Sequence, residues 1–372
     1  MIGSRMATDN EKIFDSVKDY YGKVLNKTED LKIPACISGQ KVMPKHVKEA
    51  MSQVHEEVVA RYYGCGLVIP EKLEGMHILD LGSGTGYDCF TLSKLVGQNG
   101  FVTGIDMTDE QLKVARDYID YHTQKFGYST ANVKFVQGYI EKLTEAGIPE
   151  NSQDIIISNC VVNLSPDKKS VISEAFKVLK VGGELYFSDV YADREVSESA
   201  RKHEVLWGEC ISGALWWKEL YRLAEEIGFS HPRLVRASEI PIEREDFKQV
   251  LGDARFVSAT YRLFKLPQET QPARQVIYNG EITGFPDQLN FDHQNMFLTG
   301  DIVDVDEELS TILSASRFAD EFEFQPVSKH KKDTRNNCCA DKDVEVDPFD
   351  YIADRLKRGE MMDKACCSQK CC

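Results

Sequence analysis

The clearest chemical signal in the chain is a glycine-rich loop, in which the alternate glycines Gly82, Gly84 and Gly86 follow Asp80. Glycines let the backbone approach a ligand closely, and the free N–H groups of the following helix favour the ligand's polar end. A dinucleotide-binding fingerprint would need a third glycine at the position of Tyr87. The loop therefore predicts a ligand site, but not one of the dinucleotide type.

A second acidic residue, Asp106, ends the predicted strand Phe101–Asp106, about 20 residues after the loop. An acid at that spacing can hold ribose hydroxyls. The glycine loop, Asp80 and Asp106 together resemble the first two motifs of class I S-adenosylmethionine methyltransferases. That resemblance implies S-adenosylmethionine as the cofactor, although the loop alone also suits another adenosine cofactor.

Eleven cysteines form the other chemical signal. No two of them have the C-x-x-C spacing of a zinc site or a thioredoxin-like motif. We predict a cytosolic protein, and the cytosol keeps thiols reduced, so structural disulfides do not explain them. Five lie in the predicted folded part and six form three adjacent pairs near the end, namely Cys36, Cys65, Cys89, Cys160 and Cys210, then Cys338, Cys339, Cys366, Cys367, Cys371 and Cys372.

Cys160 is distinguished by its position, because it directly follows the predicted strand at residues 154–159. In open parallel sheets, ligands bind outside the carboxyl ends of the strands, at the point where the strand order reverses. In a methyltransferase-like order that point lies between the first and fourth strands, so Cys160 is predicted to face the glycine loop. Cys65, in a glycine- and tyrosine-rich loop, and Cys210, after the fifth strand, can reach the same edge.

Strand and helix signals alternate from about residue 76 to 190, which predicts a parallel sheet covered by helices on both faces. Thr108 and Gln111 form a capping pattern at the start of the helix after the second strand. Pro166 is predicted to open a helix that ends at Gly182-Gly183. The predicted strands are residues 78–81, 101–106, 133–137, 154–159, 184–189, 233–237 and 256–264.

The chain divides into four predicted regions. Residues 1–70 form an N-terminal helical arm and a loop that covers the site, and residues 71–268 form the α/β, Rossmann-like methyltransferase domain. Residues 269–328 form a small α+β domain in which short apolar runs alternate with turns. Residues 329–372 are a cysteine-rich tail that we predict to be disordered apart from a short helix at 348–356.

Composition excludes several classes of protein. The net charge of −15 disfavours nucleic acid and anionic lipid as partners. No segment approaches the roughly 20 apolar residues of a membrane-spanning helix, and the polar N-terminus lacks a signal peptide. The mixture of 42% hydrophobic and 28% charged residues is ordinary for a soluble globular protein. The sequence therefore predicts a cytosolic protein that binds neither nucleic acid nor membrane.

Longer motifs, which cover residues 11 to 328, resemble the arsenite methyltransferase family of animals. The family's four important cysteines fall on Cys36, Cys65, Cys160 and Cys210. The tail resembles the family only in being rich in cysteine, so no role is carried onto it. The motifs that carry the resemblance are residues 54–58, 61–70, 80–86, 102–107, 158–161, 183–191 and 205–210.

The resemblance implies a role for each of these thiols. Cys65, Cys160 and Cys210 would bind trivalent arsenic, since soft thiolates suit that centre better than imidazole or carboxylate. Cys36 would pair with Cys65 in a disulfide that returns oxidised arsenic to the trivalent state. Arsenite, free or as a glutathione conjugate, and its methylated products are then the substrates, and thioredoxin or glutathione is the reductant.

The same resemblance assigns the residues that bind the cofactor. The glycine loop would line its methionine end, Asp106 would bind the ribose, and Met107 would cover the adenine. An aromatic face can also attract the sulfonium charge. The full set is Asp80, Gly82, Ser83, Gly84, Gly86, Asp106, Met107, Ile140, Glu141, Asn159 and Tyr63.

Two other functions stay open on the sequence. One is a methyltransferase for a small organic nucleophile, whose cysteines are inert, since a free cysteine is most often a small buried hydrophobe. The other is a thiol-rich scavenger that binds arsenic or metal without methyl transfer. Cys89, among apolar helix residues, is assigned to the core. Tyr20 and Tyr21 either form part of an N-terminal lid over the site or serve only to pack the N-terminal segment.

Overall fold

The computed structural model describes residues 9–24, 43–62, 68–327 and 345–359. An eight-stranded sheet forms its centre. All nine residues of the last strand are buried, and four of the five residues of the first. The strands are β1 (His77–Leu81), β2 (Phe101–Asp106), β3 (Val133–Gln137), β4 (Gln153–Asn159), β5 (Leu179–Ala192), β6 (Leu215–Trp216), β7 (Arg233–Ile240) and β8 (Phe256–Phe264).

Strand order in the sheet is β3-β2-β1-β4-β5-β8-β7, with β6 beside β5. Strands β1 to β5 are parallel, and the order reverses between β1 and β4, which confirms the predicted parallel sheet and its reversal point. Strand β8 lies antiparallel between β5 and β7. The sheet is therefore mostly parallel, with an antiparallel edge that the sequence did not predict.

Helices cover both faces of the sheet, and apolar side chains from both layers fill the space between them. Short helical turns connect several of these elements, among them a π-turn at Tyr20–Val24 directly after the first helix. The helices of this part are α1 (Asp9–Asp19), α2 (Lys45–Met51), α3 (Glu56–Val59), α4 (Tyr87–Val96), α5 (Asp109–Asp117), α6 (Ile119–Phe126), α7 (Lys168–Val178), α8 (Glu198–Arg201), α9 (Glu204–Gly208), α10 (Trp217–Ile227) and α11 (Glu245–Leu251).

Two predictions about helix ends are wrong. Helix α7 begins at Lys168, capped by the side chain of Asp167, and Gly182-Gly183 lie inside β5 rather than at a helix end. A side chain at position 182 would place its Cβ 1.9 Å from the carbonyl oxygen of Ala315, so close packing explains that glycine. Thr108 does precede α5, but its side chain makes no capping hydrogen bond.

Residues 274–326 form antiparallel β structure around one helix. Tyr278, Phe291, Phe297 and Phe318 are almost completely buried in its core. A final helix packs against β7 and β8, close to the predicted position. The elements are β9 (Arg274–Tyr278), β10 (Gln288–Asn290), β11 (Met296–Leu298), β12 (Ile302–Val305), α12 (Glu307–Ala315), β13 (Phe322–Pro326) and α13 (Pro348–Lys357). The four-way division of the chain stays a prediction.

A buried ionic cluster joins this C-terminal part to the main sheet. Glu184 on β5 accepts a hydrogen bond from Arg262 at 2.6 Å and pairs with Arg317 at 2.5 Å. Both Arg262 and Glu184 are fully buried. Although burial opposes it, the two guanidinium groups hold the pKa of Glu184 below its ordinary value. The charges are therefore paired within the protein rather than solvated.

No helix within the described ranges combines the length and the apolar character needed to cross a membrane.

Candidate active site

A cavity lies at the carboxyl ends of β1, β2, β3 and β4, at the reversal point of the sheet. The turns that follow these four strands supply most of its walls, and α1 covers it with Phe14 and Val17. This is the position at which open α/β sheets bind ligands. Residues of the predicted site that line it are Asp80, Gly82, Ser83, Gly84, Asp106, Met107, Ile140, Glu141, Asn159 and Cys160.

The glycine loop lies against the neighbouring strands. The amides of Gly82 and Ser83 both donate to the carbonyl oxygen of Ile105, at 2.8 and 3.0 Å. Gly82 has a φ of 72°, and a Cβ there would lie 2.4 Å from a methyl carbon of Val161. Position 82 therefore requires glycine, because the space between β1 and the turn after β4 is too narrow for a side chain.

Gly86 does not line the cavity, contrary to the sequence-based assignment. It is the residue before α4, in the left-handed conformation with a φ of 86°. A Cβ at that position would lie 2.6 Å from the ring of Phe135. Gly86 therefore serves helix packing, while Gly82 and Gly84 face the cavity.

Asp106 stands opposite the loop at the end of β2. Its carboxylate accepts hydrogen bonds from the amides of Gly84, at 2.9 Å, and Thr108, at 2.8 Å. Burial raises the pKa of Asp106, and these hydrogen bonds oppose the shift. The carboxylate is thus fixed in orientation at the cavity wall, with lone pairs left for a ligand hydroxyl.

Asp80 and Asp88 form an acidic pair at the other end of the cavity. The side-chain amide of Asn159 donates to Asp88 at 3.1 Å and to the hydroxyl of Tyr62 at 2.7 Å. Burial raises the pKa of Asp88 to about 7, although its hydrogen bonds with Asn159 and Tyr62 oppose the shift. Burial also raises the pKa of Asp80, and the nearby Asp88 adds to it. A positively charged ligand group beside these carboxyls would favour their ionised forms and lower both pKa values.

Cys89 contacts one member of this acidic pair. It is fully buried, and its thiol donates to Asp80 at 3.2 Å. Its place in the core agrees with the structural role predicted for it, but the sequence did not indicate the bond to Asp80. The thiol thus orients one carboxylate of the cavity wall.

Cys160 directly follows β4 and lines the cavity as predicted. Its backbone is left-handed, with a φ of 57°, and its amide donates to the carbonyl oxygen of Ser188 at 2.8 Å. It is disulfide-bonded in this structure.

Cys210 is a free thiol in the turn between α9 and β6. Its sulfur donates to the carbonyl oxygen of Cys160 at 3.0 Å, so the structure brings these two predicted residues together. Burial raises the pKa of the Cys210 thiol well above its ordinary value, and Asp189 and Glu209 add to the shift, while Lys168 and Tyr21 oppose it. Cys160 lines the cavity, whereas Cys210 is not one of the residues that line it.

Three predicted site residues, Cys36, Tyr63 and Cys65, lie outside the described residues. Sequence reasoning missed others that line the cavity, notably Asp88, Gln111 and Tyr139. Asp88 had a detectable signal, because it is an acidic residue in the first turn of the helix after the glycine loop. That signal is ambiguous, since acids favour helix N-termini in general.

Comparison with known proteins finds similarity to one family over nearly the whole chain. Residues 72–228 match the model of a methyltransferase domain, and residues 271–372 match that of the arsenite methyltransferase C-terminal domain. The arsenite methyltransferase of Homo sapiens is 52% identical, covering 98% of this chain and 99% of that protein. The chain belongs to the arsenite methyltransferase family.

Other members of the arsenite methyltransferase family are also similar. The arsenite methyltransferase of Aquipseudomonas alcaligenes is 50% identical over 83% of this chain and 90% of its own. The crystal structure of an arsenic(III) S-adenosylmethionine methyltransferase from Chlamydomonas reinhardtii is 42% identical, with a TM-score of 0.73. It covers 77% of this chain and 97% of that one.

Membership of the arsenite methyltransferase family makes this chain an enzyme whose methyl donor is S-adenosylmethionine. The cavity fits that molecule, which carries an ammonium group, a sulfonium centre and ribose hydroxyls. Three buried polar atoms of its wall have no hydrogen-bond partner among the described residues, namely Ser83 Oγ, Asp88 Oδ1 and Gln111 Oε1. Such atoms are costly to leave unpaired, and polar groups of a ligand would satisfy them.

Proposed function

We propose that this protein transfers methyl groups from S-adenosylmethionine to trivalent arsenic held by Cys160 and Cys210, with Cys65 as the third ligand. The observation that carries the proposal is the contact between Cys210 and Cys160, immediately beside the glycine loop. The products would be mono- and dimethylated arsenicals. A cytosolic location and a role in arsenic detoxification belong to the same proposal.

The chemistry of the substrate explains the need for thiols. Trivalent arsenic is a soft, pyramidal centre with three bonds and one lone pair, and thiolates are its preferred ligands. S-adenosylmethionine supplies an electrophilic methyl group when bound. Ligation by Cys160, which lines the cavity, and by Cys210, which contacts Cys160, would hold arsenic beside the cavity, and fixing both reactants would supply much of the acceleration. The attacking atom carries no proton, so no general base is required.

Electron balance requires a reduction after each transfer. The new arsenic–carbon bond would form as the methyl–sulfur bond of the donor breaks, leaving S-adenosylhomocysteine, and arsenic would pass from the trivalent to the pentavalent state. Two protein thiols return it by giving up two electrons and two protons as they form one disulfide. Thioredoxin or glutathione then reduces that disulfide by thiol exchange.

The disulfide of Cys160 bears on this cycle. A sulfur in a disulfide cannot be a thiolate ligand, so Cys160 must be reduced before it binds arsenic. In the proposed cycle, thiols of the site alternate between arsenic and disulfide bonds. The pairing of Cys36 with Cys65, both outside the described residues, is a separate part of the proposal.

Methyl transfer to arsenite from labelled S-adenosylmethionine, with thioredoxin present, tests the proposal. We expect Cys160→Ser and Cys210→Ser to lose more than 90% of the wild-type rate, by analogy with removal of a reactant-positioning group. Cys89→Ser is the matched control, because a serine hydroxyl can still donate to Asp80. Full activity in both site variants would instead favour a methyltransferase that acts on a small organic nucleophile. Arsenite binding without methyl transfer would indicate a scavenger.

The third ligand has its own test. A monomethylated trivalent arsenical has only two positions left for thiolates. Cys65→Ser should therefore slow methylation of arsenite more than methylation of the monomethyl species. Equal loss on the two substrates would contradict the assignment of Cys65.

A further inference from the structure

The segment formed by α1 and the π-turn at Tyr20–Val24 touches both the cofactor cavity and the turn that carries Cys210. On the cavity side, Phe14, Val17 and Tyr21 line the wall. Val17 also packs in the same apolar cluster as Cys160 and Cys210. One short segment thus contacts both halves of the proposed reaction site.

Two consecutive tyrosines make the contacts with the Cys210 turn. The hydroxyl of Tyr21 donates to the carbonyl oxygen of Gly208 at 2.8 Å. The hydroxyl of Tyr20 donates to the carboxylate of Glu209 at 2.5 Å. The chain of Gly208 also lies close to Tyr20, since a Cβ on Gly208 would lie 3.0 Å from the ring, closer than an ordinary van der Waals contact. The two residues immediately before Cys210 are therefore both fixed by this segment.

The same segment is bound to the cavity wall through polar contacts. The side-chain amide of Gln111 donates to the carbonyl oxygen of Tyr21 at 2.9 Å. The Oε1 atom of the same Gln111 side chain is one of the unpartnered buried atoms of the cavity. The ammonium of Lys18 also donates to the hydroxyl of Tyr139, another residue of the cavity wall, at 2.8 Å, and Phe14 packs on the Tyr139 ring. Direct contacts therefore connect the cavity wall to the segment that carries the two tyrosines.

We propose that Tyr20 and Tyr21 are positioning residues, which hold the Cys210 turn in place when the cofactor cavity is filled. Filling the cavity stabilises α1 and the π-turn through Gln111 and Tyr139, and the tyrosine hydroxyls transmit this order to Gly208 and Glu209. Cofactor occupancy and the position of the Cys210 thiol are then linked equilibria. The catalytic meaning of the link rests on the proposed function, but the link itself is measurable without arsenic.

Alkylation of Cys210 by iodoacetamide measures the link, because a thiol that is 4% exposed reacts only when its surroundings open. The full-length, reduced protein is treated with and without S-adenosylhomocysteine, and peptide mass spectrometry gives the rate at Cys210. In the wild type we expect the ligand to slow alkylation at least about five-fold. In Tyr21→Phe, alkylation without ligand is faster, and the ligand protects less than about two-fold.

Tyr128→Phe is the matched control, since it removes a hydroxyl that donates to the carbonyl oxygens of Ser93 and Lys94, away from the cavity. It should keep the wild-type protection. The fully buried Cys89, followed without ligand, reports general unfolding. If Tyr21→Phe also exposes Cys89, the link is judged on Tyr20→Phe, which removes the bond to Glu209 and keeps Tyr21.

The proposal is wrong if the ligand does not protect Cys210 in the wild type, or if it protects the tyrosine variants equally well. Arsenite binding, measured in parallel on the reduced wild type, separates this result from the proposed function. Failure to bind arsenite would contradict the proposed function and leave the protection of Cys210 intact. Arsenite binding without ligand protection would contradict only the role of the tyrosines.

Discussion

The thiol of Cys210 donates to the carbonyl oxygen of Cys160 at 3.0 Å, and both residues have left-handed backbones, with φ values of 62° and 57°. Only Lys72 and Asn151 share that conformation among the other non-glycine residues of the described ranges. A side chain in this region costs roughly 1–2 kcal/mol. Strain of this kind concentrates at functional sites, where the surrounding structure holds a side chain in a required direction.

This strain predicts that, at position 210, a glycine variant is more stable than an alanine variant, which is the reverse of the usual order. Alanine keeps the left-handed penalty and glycine does not, so Cys210→Gly should be more stable than Cys210→Ala by roughly 1 kcal/mol. Thermal unfolding of the two variants under reducing conditions measures the difference. The usual order, with alanine the more stable, would show that the left-handed backbone is not retained in solution.

Gly82→Ala should abolish binding of S-adenosylmethionine, because the new Cβ would lie 2.4 Å from Val161 in the cavity wall. Isothermal titration calorimetry gives the affinity. Gly75→Ala is the matched control, since Gly75 has a similar φ of 77° but open space around its Cβ position. It should cost roughly 1–2 kcal/mol of stability and leave binding unchanged. Equal binding losses in the two variants would show that backbone strain, rather than the Val161 contact, is responsible.

Affinity for S-adenosylmethionine should increase as the pH rises through about 7, the value to which burial raises the pKa of Asp88. Below that pH the carboxyl is neutral, and above it the carboxylate attracts a cationic ligand. Calorimetry between pH 6 and pH 8 measures the change. Asp88→Asn should bind more weakly and lose most of this pH dependence. An unchanged profile in that variant would assign the titration to another group.

The same shift predicts the pH dependence of stability for the ligand-free protein. The folded-state pKa of Asp88 lies above its unfolded value, so the folded state holds the extra proton. Its contribution is present below the unfolded pKa, near 4, and is lost as the pH rises through about 7. Between pH 5 and pH 8, the melting temperature of the wild type should therefore fall by more than that of Asp88→Asn. Parallel curves would contradict this account.

Arg317→Met should destabilise the protein by about 3–5 kcal/mol, because it leaves Glu184 buried with only one of its two guanidinium partners. Thermal melting at pH 7 measures the loss. The depressed pKa of Glu184 gives a stabilisation that is present above its unfolded pKa and lost as the pH falls through the lower, folded value. The difference between wild type and variant should therefore shrink in acid. Arg222→Met, at an exposed pair on α10, is the control and should cost less than about 1 kcal/mol.

The sequence predicted the elements whose signals are local. The bounds of β2, β3 and β8 agree with the structure residue for residue, because each is a short run rich in β-branched and aromatic residues. Cys160 was placed correctly, since the end of β4 and the reversal of strand order together determine its position.

What the sequence could not give depends on distant partners. Gly182-Gly183 has the composition of a helix end, yet the approach of Ala315 places it in β5. Gly86 belongs to the same motif as Gly82, but Phe135 decides that it packs rather than lines the cavity. The sequence left open whether Tyr21 belongs to a lid or packs in the N-terminal segment. Its hydrogen bond to Gly208, which is 187 residues away in the chain, could not be predicted from local signals.

The cluster of Arg262, Glu184 and Arg317 also limits where the chain can be truncated. A chain shortened before residue 271 would lose Arg317 and the carbonyl oxygen of Phe291, which accepts a hydrogen bond from Arg262 at 2.6 Å. Removing the C-terminal part would thus leave an ion pair half satisfied at the base of the central sheet, and would uncover the apolar ring of Phe264. Truncation before residue 271 is therefore expected to destabilise the central sheet, so catalysis is best measured on the intact polypeptide.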